Sequence, residues 1–429
     1  MKIDYINEIE LDLTTKGVPG DSSPFKLSDI KHKNWNILKE DTAFPIMTLK
    51  ESALKHNIAS LQNYANENGV SLAPHGKTTM SPQIFKMQLD EGAWAMTAAT
   101  VSQIQVYRNF GVNRIILANQ LVGKQHLRYI INELNLYPEF EFYCLVDSVE
   151  QVNYLASQCE HERLKGKLNV LIELGVEGGR AGCRHKSVAK NVFTAINTHS
   201  KYLQFSGVEC FEGIIPGITE ESVGKVDEFL RYTSDCLLEL DIANLSSPPP
   251  EIIISAGGSG FFDRVADNFN KIELSTPLRI VIRSGCYVTH DHVGYNKYQN
   301  LSKKMNRNWC EALTPSLEVF SYVQSTPEAG KAIITMGKRD APYDASLPKP
   351  ICRYRKNGQG ELEKVNLSDS EVTALNDQHG FIKYENDDLA FGDIVCCGIA
   401  HPCTAFDKWQ NIMLVDDDYN VTGAIQTYF

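Results

Sequence analysis

The sequence predicts an α/β protein: a (β/α)8 barrel over residues 44–290, followed by a second, mainly β domain over 291–429. Three observations carry this. Short apolar runs alternate with amphipathic stretches about eight times between 44 and 290, which is the rhythm and count of a barrel. Many of those runs are continuously apolar, as in parallel strands covered on both faces. After about residue 290 helical stripes become scarce and strand-like runs take over, the pattern of a separate β domain. A doubly wound sheet is the alternative, because spacing alone does not show closure.

FPIMTLK (44–50) reads as a strand. Leu54, Ile58, Leu61 and Ala65 then share one helical face, and Asn68-Gly69 closes that helix. VSLAP (70–74) is the next strand, Ile84, Phe85 and Leu89 mark a short helix, and WAMTA (94–98) is a strand. Val101, Ile104, Tyr107 and Phe110 form another helical stripe, ended by Gly111. RIILA (114–118), FEFYCLV (140–146), LNVLIEL (168–174), FSGVEC (205–210), EIIIS (251–255) and LRIVI (278–282) are the following strands. Helices are expected over 122–136, 148–162, 186–198 and 218–240. The prolines of SSPPP (246–250) place a loop before the strand at 251. In the second part, SLEVFSYVQS (316–325), KAIITMG (331–337), DIVCCGIAHPC (393–403) and NIMLVDDD (411–418) read as strands. The first 43 residues are expected to join that domain.

Composition narrows the function classes. With 43 % hydrophobic and 22 % charged residues, the chain has the make-up of a soluble globular protein. No apolar run approaches the ~18–20 residues of a membrane span, so no membrane partner is expected. The opening MKIDYINEIELDL has no apolar core of a secretory signal, so a cytoplasmic location is expected. The net charge of −11 and the lack of a basic run exclude a nucleic-acid surface. Eleven scattered cysteines then read as reduced thiols, either metal ligands or small buried hydrophobes.

Five segments carry residue types suited to chemistry. Lys77, in SLAPHGKTTM, lies just beyond a barrel strand, where barrel enzymes place catalytic groups. A partly desolvated lysine amine there forms Schiff bases with carbonyl compounds; the alternative is a solvated loop lysine. In GVEGGRAGCR (175–184), glycines surround Arg180, which either orients a ligand ring or sits on a flexible loop. SAGGSG (255–260) and RSGCY (283–287) end two adjacent strands alike. Glycine amides and serine hydroxyls there suit a phosphate. Glu209, in GVECFEG, is either a proton acceptor for a ring nitrogen or an ion-paired barrel glutamate. His401-Pro402-Cys403 places imidazole and thiol at i and i+2, on one face of an extended segment. Taken alone, it reads more simply as a structural histidine beside a buried cysteine. His379 in NDQHGF, with Asn119, Gln120 and Arg339, are unranked pocket candidates.

Together these motifs resemble the fold-type III pyridoxal-phosphate enzymes, and more narrowly the D-serine dehydratase and D-threonine aldolase family, alanine racemase-like in architecture. The resemblance runs from PHGKTT (74–79) through GGRAG (178–182), GGSG (257–260), SGCY (284–287) and QHG (378–380) to HPC (401–403). It implies that Lys77 carries pyridoxal 5′-phosphate and that Arg180 lies near the cofactor ring. It further implies that Gly257, Gly258, Ser259, Gly285, Cys286 and Tyr287 form the phosphate region. His401 and Cys403 match a divalent-metal pair, expected to hold zinc. The dehydratases carry a tyrosine where Glu209 stands, and a carboxylate there would favour a protonated, more electron-withdrawing ring. The aldolases carry an aspartate where Cys403 stands. The implied activity is a lyase converting a D-β-hydroxy amino acid, such as D-serine or D-threonine, to a 2-oxo acid and ammonia, in a homodimer. A D-threonine aldolase is the alternative, ahead of a racemase or a cofactor carrier.

Overall fold

Eight short parallel strands, each followed by a helix, build the barrel. In the computed structural model, which describes residues 1–429, the strands are β1 (Ser71–Leu72), β2 (Met96–Ala98), β3 (Arg114–Gln120), β4 (Glu141–Val146), β5 (Leu168–Leu174), β6 (Leu203–Cys210), β7 (Ile252–Ala256) and β8 (Leu278–Ile282). They pair in the order β1-β8-β7-β6-β5-β4-β3-β2. The remaining seam is bridged between His75 and Thr97, where the Thr97 N–H donates to Pro74 O. That closure decides for a barrel over a doubly wound sheet. No helix is long and apolar enough to cross a membrane.

The continuous apolar runs have a simple cause. Ile116, Leu145, Leu171, Ile253 and Val281 pack together as one layer inside the barrel. Their chain neighbours Ile115, Leu117, Val170, Ile172 and Ile254 pack into the larger core under the helices. Both faces of each strand are therefore dry, and each fully buried aliphatic side chain contributes roughly 1.5–3 kcal/mol. The last two helices, Phe262–Phe269 and Gly294–Lys304, complete the seventh and eighth units. Neither was expected: the first is only eight residues long and the second, GYNKYQNLSKK, is largely polar.

One irregularity sets the site. Val170 in β5 pairs with Phe205 in β6, but Leu171 pairs with Gly207, so β6 carries one extra residue. Gly207 has φ +140°, and a Cβ there would lie 1.8 Å from Ile253 O. Only glycine allows this close approach. A one-residue offset exchanges the two faces of a strand. Past the bulge Val208 packs in the helix-side core, while Glu209 lines the cavity described below.

The strand expected at 44–50 forms over Ile46–Lys50 but does not join the barrel. It pairs with Leu317–Phe320 and with Met413–Val415, so it belongs to the β sheet; its apolar run is equally suited to either layer. From the first 43 residues, Ile6, Leu11, Phe25, Ile30 and Ile37 share a hydrophobic core with Phe320, Tyr354 and Ile394. The strands beyond the barrel form a largely antiparallel sheet. It includes Lys349–Lys356, Leu362–Asn366, Glu371–Leu375, Gly380–Lys383 and Val421–Gln426, none of which the sequence pattern signalled. Leu362–Asn366 shows why, since none of its residues is buried and no apolar alternation is needed. The strand expected over 393–403 ends at Gly398.

Candidate active site

The C-terminal ends of the barrel strands and the β domain enclose a cavity of 240 Å³. After β1 the chain turns at Gly76–Thr78. A Cβ on Gly76 would lie 2.5 Å from the Tyr107 hydroxyl, so glycine lets this turn sit tightly on the barrel wall. Lys77 emerges from that turn, half-buried, into the cavity. Beside it His75 Nδ1 is buried without a partner. Burial holds that imidazole well below its usual range, hence neutral.

Glu209, at the end of β6, is 2 % exposed. Its Oε1 lies 3.4 Å from Arg283 Nη2, and its Oε2 has no partner. Arg283 also donates to Cys210 O and Ser255 Oγ, so it is not free to turn fully toward Glu209. Burial pushes the Glu209 carboxyl up to about 7, with Arg283 pulling the other way. The group can thus hold or release a proton near neutrality.

Arg180 reaches the cavity on a braced loop. Arg184 donates to Gly179, Arg180, Ala181 and Gly182 carbonyls, and the Gly182 N–H donates to Asp147 Oδ2 at 2.9 Å. The Arg180 guanidinium lies 5.0 Å from the centre of the Phe211 ring, within range of a cation–π contact.

Gly257, Gly258, Ser259, Gly285 and Cys286 all line the cavity. Two expectations about this region change. The Gly257 and Gly258 N–H groups donate at 2.8 Å to the two carboxylate oxygens of buried Glu212, so those amides shape the loop through Glu212 and are already paired. Tyr287 points away: its hydroxyl accepts from Gln88 Nε2 at 3.0 Å in the core, because consecutive residues of the turn Cys286–Val288 project in different directions. Gly285 packs close to the Lys77 turn. A Cβ there would meet His75 O at 2.6 Å and Thr78 Oγ1 at 2.8 Å.

His401 and Cys403, from the β domain, line the same cavity as Lys77. They are not on a strand as expected. His401 is extended, and Cys403 sits in the turn Pro402–Thr404. His401 Nδ1 lies 2.6 Å from Asp344 Oδ2, and Thr404 Oγ1 donates to Asp344 Oδ1 at 2.8 Å. Asp344 thus engages Nδ1, and Nε2 is the other ring nitrogen. The Cys403 contact, followed by Asp344, raises the His401 imidazole to about 9. Cys403 Sγ lies 2.9 Å from Cys286 Sγ and 3.4 Å from Thr78 Oγ1. The Cys286 contact, then His401, holds the Cys403 thiol well below its usual range. No group of three or more His, Cys, Asp or Glu side chains is arranged to hold a metal. Where a histidine ligates a metal, a carboxylate behind it fixes its ring, and losing that carboxylate weakens metal binding about 10–100-fold; if His401 holds a metal as the resemblance implies, Asp344 stands in that place. Asp344→Asn is then expected to weaken binding to that extent, as read by zinc titration against a competing chelator; unchanged affinity would remove Asp344 from the site.

The other candidates divide. Asn119 lines it, but Gln120 is taken up by a hydrogen bond to Glu173. His379 is exposed between the strands Glu371–Leu375 and Gly380–Lys383, and Arg339 is not among the lining residues. Sequence reasoning missed His75, Arg283 and Tyr295, which line the cavity, and Glu212 and Asp344, which brace it. His75 and Arg283 adjoin motifs already recognised, so position next to Lys77 and Gly285 was an available signal. Asp344 and Glu212 had none.

Comparison with known proteins agrees with this arrangement. Residues 49–234 match the family described as "Alanine racemase, N-terminal domain", and residues 316–415 match "Putative serine dehydratase domain". The 3-hydroxy-D-aspartate aldolase of Paracoccus denitrificans (strain Pd 1222) is 21 % identical over 353 residues, covering 80 % of this chain and 83 % of that protein. The D-threonine aldolase of Arthrobacter sp is 20 % identical over 382 residues, covering 87 % and 89 %. The structure of D-threo-3-hydroxyaspartate dehydratase from Delftia sp. HT23 superposes with a TM-score of 0.69 at 18 % identity, over 90 % of this chain and 97 % of that one. Similar proteins thus include both aldolases and a dehydratase.

Proposed function

The chain belongs to the alanine racemase-like, fold-type III pyridoxal-phosphate enzymes of the D-serine dehydratase and D-threonine aldolase family, and from that premise we propose that it dehydrates a D-β-hydroxy amino acid to a 2-oxo acid and ammonia. It is a pyridoxal-phosphate-dependent lyase. The observation that carries the dehydratase reading is that the imidazole–thiol pair of His401 and Cys403 opens into the same cavity as Lys77. The reading extends to a homodimer in the cytoplasm, as the resemblance implies.

The residues present fit the cofactor. Lys77 supplies an amine, and the unpartnered Glu209 Oε2 supplies a buried polar atom awaiting a ring nitrogen. Ser259, with the turn at Gly285 and Cys286, supplies polar groups for a phosphate. The donor set His401 Nε2 and Cys403 Sγ suits zinc, and two protein ligands leave coordination positions for substrate and water. When bound, the cofactor withdraws electrons from the substrate Cα and the metal polarises the β-hydroxyl.

The protein's own part follows from its geometry. Lys77 would anchor the cofactor, and its amine, when free, would accept the Cα proton. Glu209 holds a proton or a hydrogen bond at Oε2, with Arg283 limiting how far the carboxyl stays neutral. Arg180, on its braced loop, orients the ring. His401 and Cys403 would hold the metal, on the β-domain side of the cavity that Lys77 lines. The proposed conversion balances with one water lost from Cβ and one taken up, so the net products would be the oxo acid and ammonia.

The test is a panel of D- and L-β-hydroxy amino acids given to the cofactor- and zinc-loaded protein, with oxo acid, ammonia, glycine and aldehyde measured together. Oxo acid with equimolar ammonia from D-isomers is expected. Glycine with aldehyde would replace the dehydratase reading by an aldolase, the activity named for both curated relatives.

Glu209 gives a separate prediction. Its unfolded carboxyl ionises near 4.5, while the folded one keeps its proton to about 7. The native state therefore binds more protons across this window, and stability falls as pH rises through it, by up to about 3 kcal/mol. Glu209→Gln is expected to flatten that decline in thermal unfolding scans between those pH values. An unchanged slope would place the proton elsewhere.

A further inference from the structure

All eleven cysteines are free thiols, but only Cys286 and Cys403 line the cavity. They come from opposite sides of the domain junction: Cys286 opens the turn after β8, and Cys403 lies in the turn Pro402–Thr404. Their sulfurs stand 2.9 Å apart, against ~2.0 Å in a disulfide. Thr78 Oγ1 lies 3.4 Å from one and 3.9 Å from the other, so a hydroxyl able to pass a proton adjoins both. The proposed reaction uses Cys403 as a metal ligand and the turn at Cys286 for the phosphate, but it asks no chemistry of the Cys286 thiol.

Co-ligation of one metal does not account for the pair. Two thiolates on tetrahedral zinc, with ~2.3 Å bonds, stand roughly 3.8 Å apart, wider than this pair stands. We infer that Cys286 and Cys403 are an oxidative modification site, closed to a disulfide by a hydroperoxide, and that closure releases the metal by removing its thiolate ligand. The release half rests on the metal reading of His401 and Cys403; the disulfide half does not.

The chemistry balances. One sulfur attacks hydrogen peroxide, the O–O bond breaks, and water leaves as a sulfenic acid forms. The second sulfur attacks that sulfur, the S–O bond breaks, and a second water leaves. Two thiols lose two electrons and two protons, and one peroxide is reduced to two waters. An external dithiol reverses the step by exchange.

The full-length, cofactor-loaded protein is reduced, prepared with and without zinc, and exposed to a small excess of hydrogen peroxide. In the zinc-free arm the intact mass should fall by two hydrogens, and non-reducing peptide mapping should join Cys286 to Cys403, reversibly with dithiothreitol. In the zinc arm, one equivalent of zinc should leave in step with the cross-link. Cys286→Ser and Cys403→Ser should each lack it. Oxygen additions at separate cysteines, or a cross-link joining another pair such as Cys352 and Cys396, would overturn the inference. A cross-link with zinc retained would overturn the release half. A reduced protein that takes up no zinc would instead overturn the metal reading, with the disulfide still decided in the zinc-free arm.

Discussion

Lys77→Ala should abolish turnover and the visible absorption of lysine-bound cofactor together. The reason is positional. The turn Gly76–Thr78 is pinned against Tyr107 and against the turn at Gly285, and no other lysine lines the cavity. In the proposed reaction one amine both holds the cofactor and accepts the Cα proton. Loss of a positioned proton acceptor alone costs about 10²–10⁴-fold in rate, and loss of the anchor adds to it, so a fall of at least about 10⁴-fold is expected. Absorbance titration with pyridoxal phosphate separates the two roles. Full activity in the alanine variant would end the assignment. Weak activity restored by added small amines would support it, because a free amine would then be replacing the missing one.

Metal removal should have the second-largest effect and a different signature. Stripping zinc with a chelator, or replacing His401 by alanine, should lower oxo-acid formation about 10³-fold, since Lewis-acid assistance to a leaving group amounts to several kcal/mol. The lysine-bound cofactor absorption should stay, because Lys77 is held by the barrel and His401 by the β domain. Elimination that survives complete metal removal would take His401 and Cys403 out of the reaction. Loss of the cofactor absorption on chelation would instead show that the pair supports the Lys77 side of the cavity.

Much of the fold was legible because its signals are local. The strands at 168–174 and 278–282 and the helix at 186–198 appear as the periodicity placed them, since dry parallel strands and amphipathic helices write their burial into neighbouring residues. The helix Gly294–Lys304 and the strand Leu362–Asn366 left no such trace, being polar or exposed. The strand at 46–50 shows a different limit. Its apolar run was read correctly, but nothing within it says which sheet it enters. The site divides in the same way. Lys77, Arg180, Ser259, His401 and Cys403 stood in recognisable motifs and all reach the cavity, whereas Tyr287 stood in a motif and faces the core.

The sequence by itself determined the layering of barrel and β domain, the family resemblance, and which motif-bearing loops to look at, because hydrophobic period and short motifs are properties of contiguous residues. Tertiary structure alone decided what meets what. It set Glu209 on the inner face through the bulge at Gly207, paired Glu212 with the glycine amides, put Asp344 behind His401 and brought Cys286 against Cys403. Each of these contacts joins residues far apart in the chain. Their geometry depends on how strands register and domains close, which no local pattern encodes.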